Sequence, residues 1–115
     1  MYDTTYYRAS SVSDATSKLA GTEDGKFLAG GQTLIPTMKQ RLAAPSDLVD
    51  VSGIDALKNI SVDGDTVTIG AACTHAQVAG SSEVAQAIPA LASLASGIGD
   101  PAVRARGTIG GSIAN

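Results

Sequence analysis

Apolar and polar positions along this chain keep to two rhythms, and the switches between them mark out its elements. Tyr6 to Ala9 fits a short opening strand. Ser11, Ser13 and Asp14 then supply N-cap chemistry, while Val12, Ala15 and Leu19 fall on one helical face that Gly21 closes. Lys26-Phe27-Leu28 is short and mostly apolar, the pattern of a buried strand. Beyond it Leu34, Met38 and Leu42 recur at helical spacing, with Thr33 at the N-cap and Pro36 in the first turn, where proline is tolerated. This second helix is expected to run to about Leu42 and to stop before Pro45.

Asp47-Leu48-Val49-Asp50-Val51 reads as a further strand. Ile60-Ser61-Val62 and Thr66-Val67-Thr68-Ile69 alternate apolar and polar around Asp63-Gly64-Asp65, which predicts a β-hairpin. From His75 to Ser96 the chain is alanine-rich and helical in spacing, broken at Gly80 and again at Pro89. Past Gly99-Asp100-Pro101 the pattern predicts a second glycine-rich loop. The architecture is α+β, with strands and helices mixed in one small domain.

Composition narrows the function. The chain has 115 residues, 43% hydrophobic and 17% charged, which is a globular composition. Aromatics make up only 3%, so the core must be built from aliphatic side chains and many alanines. The net charge is −3 with no basic block, which argues against nucleic acid as a partner. No apolar stretch approaches the roughly 20 residues that a transmembrane helix needs, and residues 1–8 lack the apolar region of a signal peptide. The cytoplasm is the expected compartment. The lone cysteine, Cys73, cannot form an internal disulfide or a cysteine metal site.

Few motifs survive scrutiny. Gly97-Ile98-Gly99-Asp100-Pro101-Ala102 matches the dinucleotide fingerprint G-x-G-x-x-G/A in letters, but a helix precedes it and Asp-Pro follows, which is the wrong context. Cys73 and His75 lack the neighbours a metal site would need, and an inert packed cysteine beside a helix-start histidine is the expectation. No catalytic residue and no metal ligand is assigned. Arg104 and Arg106 are open between solvated charges, loop braces and phosphate contacts.

Two Gly-Gly pairs stand out. Gly30-Gly31 lies at a strand-to-helix turn, where bare backbone amides can face an anion or where glycine simply satisfies the turn. Gly110-Gly111 lies between Thr108 and Ser112. If the two converge, amides from both and hydroxyls from Thr33, Thr108 and Ser112 could cradle a diphosphate from two sides.

Three blocks carry a resemblance over essentially the whole chain. These are Ala-Gly-Gly-Gln-Thr-Leu-Ile-Pro at 29–36, the hairpin followed by Ala-Cys-Thr-His-Ala, and Asp-Pro-Ala-Val-Arg-Ala-Arg-Gly-Thr-Ile-Gly-Gly-Ser-Ile-Ala-Asn at 100–115. In order and spacing they resemble the FAD-binding medium subunit of molybdenum hydroxylases, a family that includes the carbon monoxide dehydrogenase flavoprotein and the flavin domain of xanthine dehydrogenase. The resemblance implies an FAD domain of the vanillyl-alcohol oxidase (p-cresol methylhydroxylase) type, of which this chain is the N-terminal subdomain. It implies Ala29, Gly30, Gly31, Gln32 and Thr33 as one pyrophosphate loop and Thr108, Ile109, Gly110, Gly111 and Ser112 as the other, with Asp100 and Arg104 as loop supports.

The resemblance further implies a flavoprotein subunit of an oxidoreductase complex, carrying electrons from iron–sulfur clusters to FAD and on to an acceptor. The [2Fe–2S] clusters and the molybdopterin cofactor are expected on a small and a large partner subunit, not on this chain. In the family the chain continues past the second glycine loop into another subdomain. Residues 1–115 are therefore expected to be the N-terminal portion of the domain, truncated inside or just after that loop and inactive in isolation. The alternative is a non-catalytic diphosphate-binding or assembly module.

Overall fold

The computed structural model of the chain describes residues 3–114. Strands β1 (Thr5–Arg8), β2 (Gly25–Leu28) and β3 (Asp47–Asp50) form one sheet in the order β1-β3-β2, with both pairings parallel. Parallel neighbours require a crossover, and helix α2 (Leu34–Lys39) lies on the one that joins β2 to β3. Helix α1 (Val12–Ala20) lies on the link from β1 to β2. The Ser11 hydroxyl caps it, accepting the Asp14 amide at 3.0 Å, and Gly21 is its C-cap.

Burial follows position in the sheet. The central strand β3 buries Leu48 and Val49, whereas β1 and β2 are edges. The apolar run Lys26-Phe27-Leu28 is thus an edge strand rather than a buried one, and Phe27 keeps 46% of its surface exposed. Helix α2 is also shorter than its spacing predicts. It ends at Lys39 because Arg41 takes a left-handed conformation (φ 59°) and the Leu42 amide turns back to the Thr37 carbonyl at 3.0 Å. Met38 fills the core while Leu42 faces outward. Thr33 holds the N-cap position, yet its backbone is already helical and its hydroxyl caps nothing.

A 3-10 turn (Asp55–Leu57) leads into the antiparallel hairpin β4 (Ile60–Asp63) and β5 (Thr66–Ile69), in the register Ile60↔Ile69. Five short helices follow: α3 (His75–Gly80), α4 (Ser82–Ala87), α5 (Pro89–Ser96), α6 (Pro101–Arg106) and α7 (Ile109–Ala114). The breaks after Gly80 and before Pro89 fall where the sequence puts them. A reciprocal Thr74–Gln77 capping box opens α3, and Ser81 caps α4. The expected second glycine loop is instead the two helices α6 and α7. Asp100 caps α6 by accepting the Val103 amide at 2.9 Å, and Pro101 occupies its first position.

The core is divided. Ala9, Ala15, Val49 and Ile54 pack together beneath the parallel sheet, while Cys73, Val78, Val84, Ala92 and Ala95 pack among the hairpin and α3–α5. Fully burying a Val or Ile side chain contributes about 1.5–3 kcal/mol and an alanine much less, so neither half has a large reserve. The chain spans 44 × 30 × 17 Å. Among the described residues no helix is long and apolar enough to cross a membrane.

Candidate functional site

A cleft of about 290 Å³ lies where the two halves meet. Ala29 and Gly30 enter it just after β2 and Ser52 just after β3, so it opens at the carboxyl ends of parallel strands, where such sheets bind ligands. From the other half come Ala72 and Thr74, ahead of α3, and Arg106 and Thr108 around the α6–α7 turn.

The first Gly-Gly pair has two separate physical reasons. Gly30 packs directly against the Arg106 carbonyl and leaves no room for a Cβ. Gly31 has φ 71°, and a Cβ there would sit 2.8 Å from the Ile35 side chain. The turn that results leaves the amides of Gly30, Gly31, Gln32 and Thr33 without an acceptor among the described residues. Successive free amides around a left-handed glycine form a concave nest suited to an anion.

The second pair behaves differently. The Ile109 amide donates to the Cys73 carbonyl, Gly110 to the Ala71 carbonyl and Gly111 to the Thr108 hydroxyl, each at 3.0 Å. Gly110 packs so tightly on Ala71 that a Cβ would lie 2.7 Å from the Ala71 carbonyl oxygen. These glycines bring the backbone of α7 against the segment before α3, and that leaves Thr108 buried in the cleft wall. The Ser112 hydroxyl meets His75 Nε2 at 2.9 Å, and both border a separate apolar cleft of about 160 Å³ with Ile109 and Ile113.

Of the ten residues singled out in the sequence, Ala29, Gly30 and Thr108 line the cleft together. Gly31, Gln32 and Thr33 continue the turn beside it, and Ile109, Gly110, Gly111 and Ser112 stand behind Thr108. Ser52 and Lys58 also line the cleft, and the sequence did not point to either. The position of Ser52 just past a strand end was the available signal, whereas a lone lysine before a hairpin offered none. Arg104 braces the preceding turn by donating to the Ile98 and Gly99 carbonyls at 3.2 and 3.1 Å. Arg106 reaches the cleft.

Behind Ser52 lies a polar network. Asp50 is buried and accepts the Ser52 hydroxyl at 2.6 Å, the Ser52 amide at 2.9 Å and the Tyr6 phenol. Burial pushes the Asp50 carboxyl up, but these hydrogen bonds and the nearby Arg8 outweigh it and hold the group below its usual range. The same bond to Asp50, with some burial, raises the Tyr6 phenol. Cys73 is fully buried and burial raises its thiol. Among the described residues no cluster of side chains could hold a metal ion.

Residues 2–115 match the family described as the FAD binding domain in molybdopterin dehydrogenase. The chain belongs to that family. Similar members include the nicotine 6-hydroxylase medium subunit of Paenarthrobacter nicotinovorans, 40% identical over 110 residues, and the carbon monoxide dehydrogenase medium chain of Hydrogenophaga pseudoflava, 43% identical over 111. Each alignment takes in 96% of this chain but only 39% of the relative. Among solved structures, a Cu,Mo-CO dehydrogenase chain superposes with a TM-score of 0.93 at 42% identity, covering 97% of this chain and 40% of that one. A chain of quinoline 2-oxidoreductase from Pseudomonas putida 86 gives 0.95 at 34%, covering 98% and 40%. This mixed helix and strand fold is therefore shared with the FAD binding domain family. The chain spans about two fifths of the length of these relatives, several of which are medium subunits of oxidoreductase complexes.

Proposed function

We propose that this chain supplies the diphosphate-binding part of an FAD domain of the vanillyl-alcohol oxidase type, within the medium subunit of a molybdenum hydroxylase complex. The observation that carries the reading is the run of free amides from Gly30 to Thr33 beside a cleft that Thr108 also lines. A cofactor with two linked phosphates fits this donor set, because it presents negative charge to both halves of the molecule. Ala29, Gly30, Gly31, Gln32 and Thr33 hold it through backbone amides. On the other side Thr108 offers its hydroxyl, and Ile109, Gly110, Gly111 and Ser112 fix where that hydroxyl stands. When bound, FAD supplies the redox chemistry, accepting electrons that the complex delivers and passing them to an acceptor. The donors on this chain bind and orient it.

In this reading a small subunit with [2Fe–2S] clusters and a large subunit with molybdopterin are the partners, and the cytoplasm is the compartment. The substrate is selected at the large subunit.

The test is titration of the full-length subunit with FAD, following quenching of flavin fluorescence, alongside Gly31→Asp and Gly111→Asp. The first adds a negative charge in the turn proposed to hold the diphosphate, and the second forces a side chain against the Thr108 hydroxyl, 2.8 Å from where its Cβ would stand. Wild type is expected to bind and both variants to lose binding, with each variant's thermal midpoint measured alongside to separate lost contacts from strain at these glycines. Binding by Gly31→Asp at wild-type affinity would sink the reading.

A further inference from the structure

Resting on that reading, we infer that Lys58 is a phosphate contact of the bound dinucleotide, completing the donor set from the hairpin side of the cleft. The chain as a whole is acidic, with 11 Asp and Glu against 8 Lys and Arg. The cleft reverses this balance, since its lining includes Lys58 and Arg106 and no carboxylate. Neither cation forms an ion pair among the described residues. Arg106 is exposed, and Lys58 is half-buried. A cation at the wall of a cleft that holds no carboxylate favours an anion beside it.

The backbone at this position is fixed on every side. The Lys58 amide donates to the Asp55 carbonyl at 3.0 Å, closing the 3-10 turn. The Gly70 amide donates to the Asn59 carbonyl at 2.8 Å and the Ala72 amide to the Leu57 carbonyl at 2.9 Å. Gly70 packs on the Leu57 carbonyl and the Lys58 nitrogen with no room for a Cβ. Lys58 is thus clamped between the hairpin and the segment that leads to Thr74, itself a cleft residue. With the Gly30–Thr33 amides on the sheet side and Lys58 on the hairpin side, the ligand class is one with two adjacent phosphates, such as a dinucleotide or a nucleoside diphosphate.

The experiment uses the full-length apo subunit as wild type, Lys58→Gln, Lys58→Arg and Gly31→Asp, titrated with FAD and with ADP at low and high salt. Lys58→Gln is expected to raise the Kd for both ligands by about tenfold or more, the worth of one charge-assisted hydrogen bond. It should also weaken the salt dependence and leave the thermal midpoint unchanged. Lys58→Arg should recover most of the affinity. Wild-type affinity in Lys58→Gln, with binding abolished by Gly31→Asp, overturns the role of Lys58 and leaves the diphosphate reading standing. A loss of FAD affinity without a loss for ADP also overturns it, because the contact would then lie with the flavin half. Failure of wild type to bind either ligand, or unimpaired binding by Gly31→Asp, removes the diphosphate reading and the role of Lys58 with it.

Discussion

Gly30 and Arg106 meet backbone to backbone, the glycine Cα lying under the arginine carbonyl with no space for a side chain between them. This contact joins the turn after β2 to the end of α6, residues 76 positions apart in sequence. Both residues line the cleft, so the contact ties its two walls together.

Gly30→Ala should therefore act on both stability and binding. Forcing a methyl group against a backbone carbonyl must push the two halves apart, at a cost of about 1–3 kcal/mol. The thermal midpoint is expected to drop and FAD affinity to fall with it. An alanine variant with wild-type melting would mean that the contact is not fixed in solution.

The Asp50 network predicts a pH dependence. Its carboxyl is held below the usual range in the folded state, so the unfolded chain binds the proton more readily. The stabilisation is complete above the unfolded pKa of about 3.9 and is lost as pH falls through the folded value. Denaturant melts across the acid range should show Asp50→Asn losing less stability on acidification than wild type. Tyr6→Phe, which removes one of the donors, should fall between the two.

Much of this fold was legible because it is local. The hairpin, the capped helix α1 and the breaks at Gly80 and Pro89 each depend on a few adjacent residues whose torsional preferences agree. What was missed depends on contacts distant in sequence. Phe27 reads as buried, but β3 takes the central place in the sheet and leaves β2 at an edge. Leu42 keeps helical spacing, but Arg41 reverses the chain before it. The segment 101–114 reads as a loop because Gly107, Gly110 and Gly111 break its pattern, although Asp100-Pro101 is itself a cap-and-first-turn signature of α6. The lining of the candidate cleft was legible in part. Gly30 and Thr108 came from the glycine pairs, whereas nothing local to Lys58 distinguishes it from any surface lysine.

Cys73 should be chemically silent. Its thiol is fully buried and raised by burial, and the thiolate is the reactive form. Modification by a disulfide reagent is expected to run on the order of a hundredfold slower than for a free thiol, limited by local opening. Rapid labelling of the native protein would contradict the packing around α3.

His75 and Ser112 tie α7 to α3 through a side-chain hydrogen bond of 2.9 Å. A double-mutant cycle of His75→Ala and Ser112→Ala should give a coupling energy of about 1 kcal/mol in denaturant melts. Strictly additive losses would show that other packing holds α7 in place.

The divided core has one more consequence. Two small apolar clusters, each rich in alanine or valine, are separated by a cleft of mixed polar and apolar lining. A molecule seated there would touch both halves at once and act as a mechanical rivet between them. Without it the halves can loosen one after the other. With it they stand or fall as a unit, and the sharpness of melting becomes a measure of occupancy.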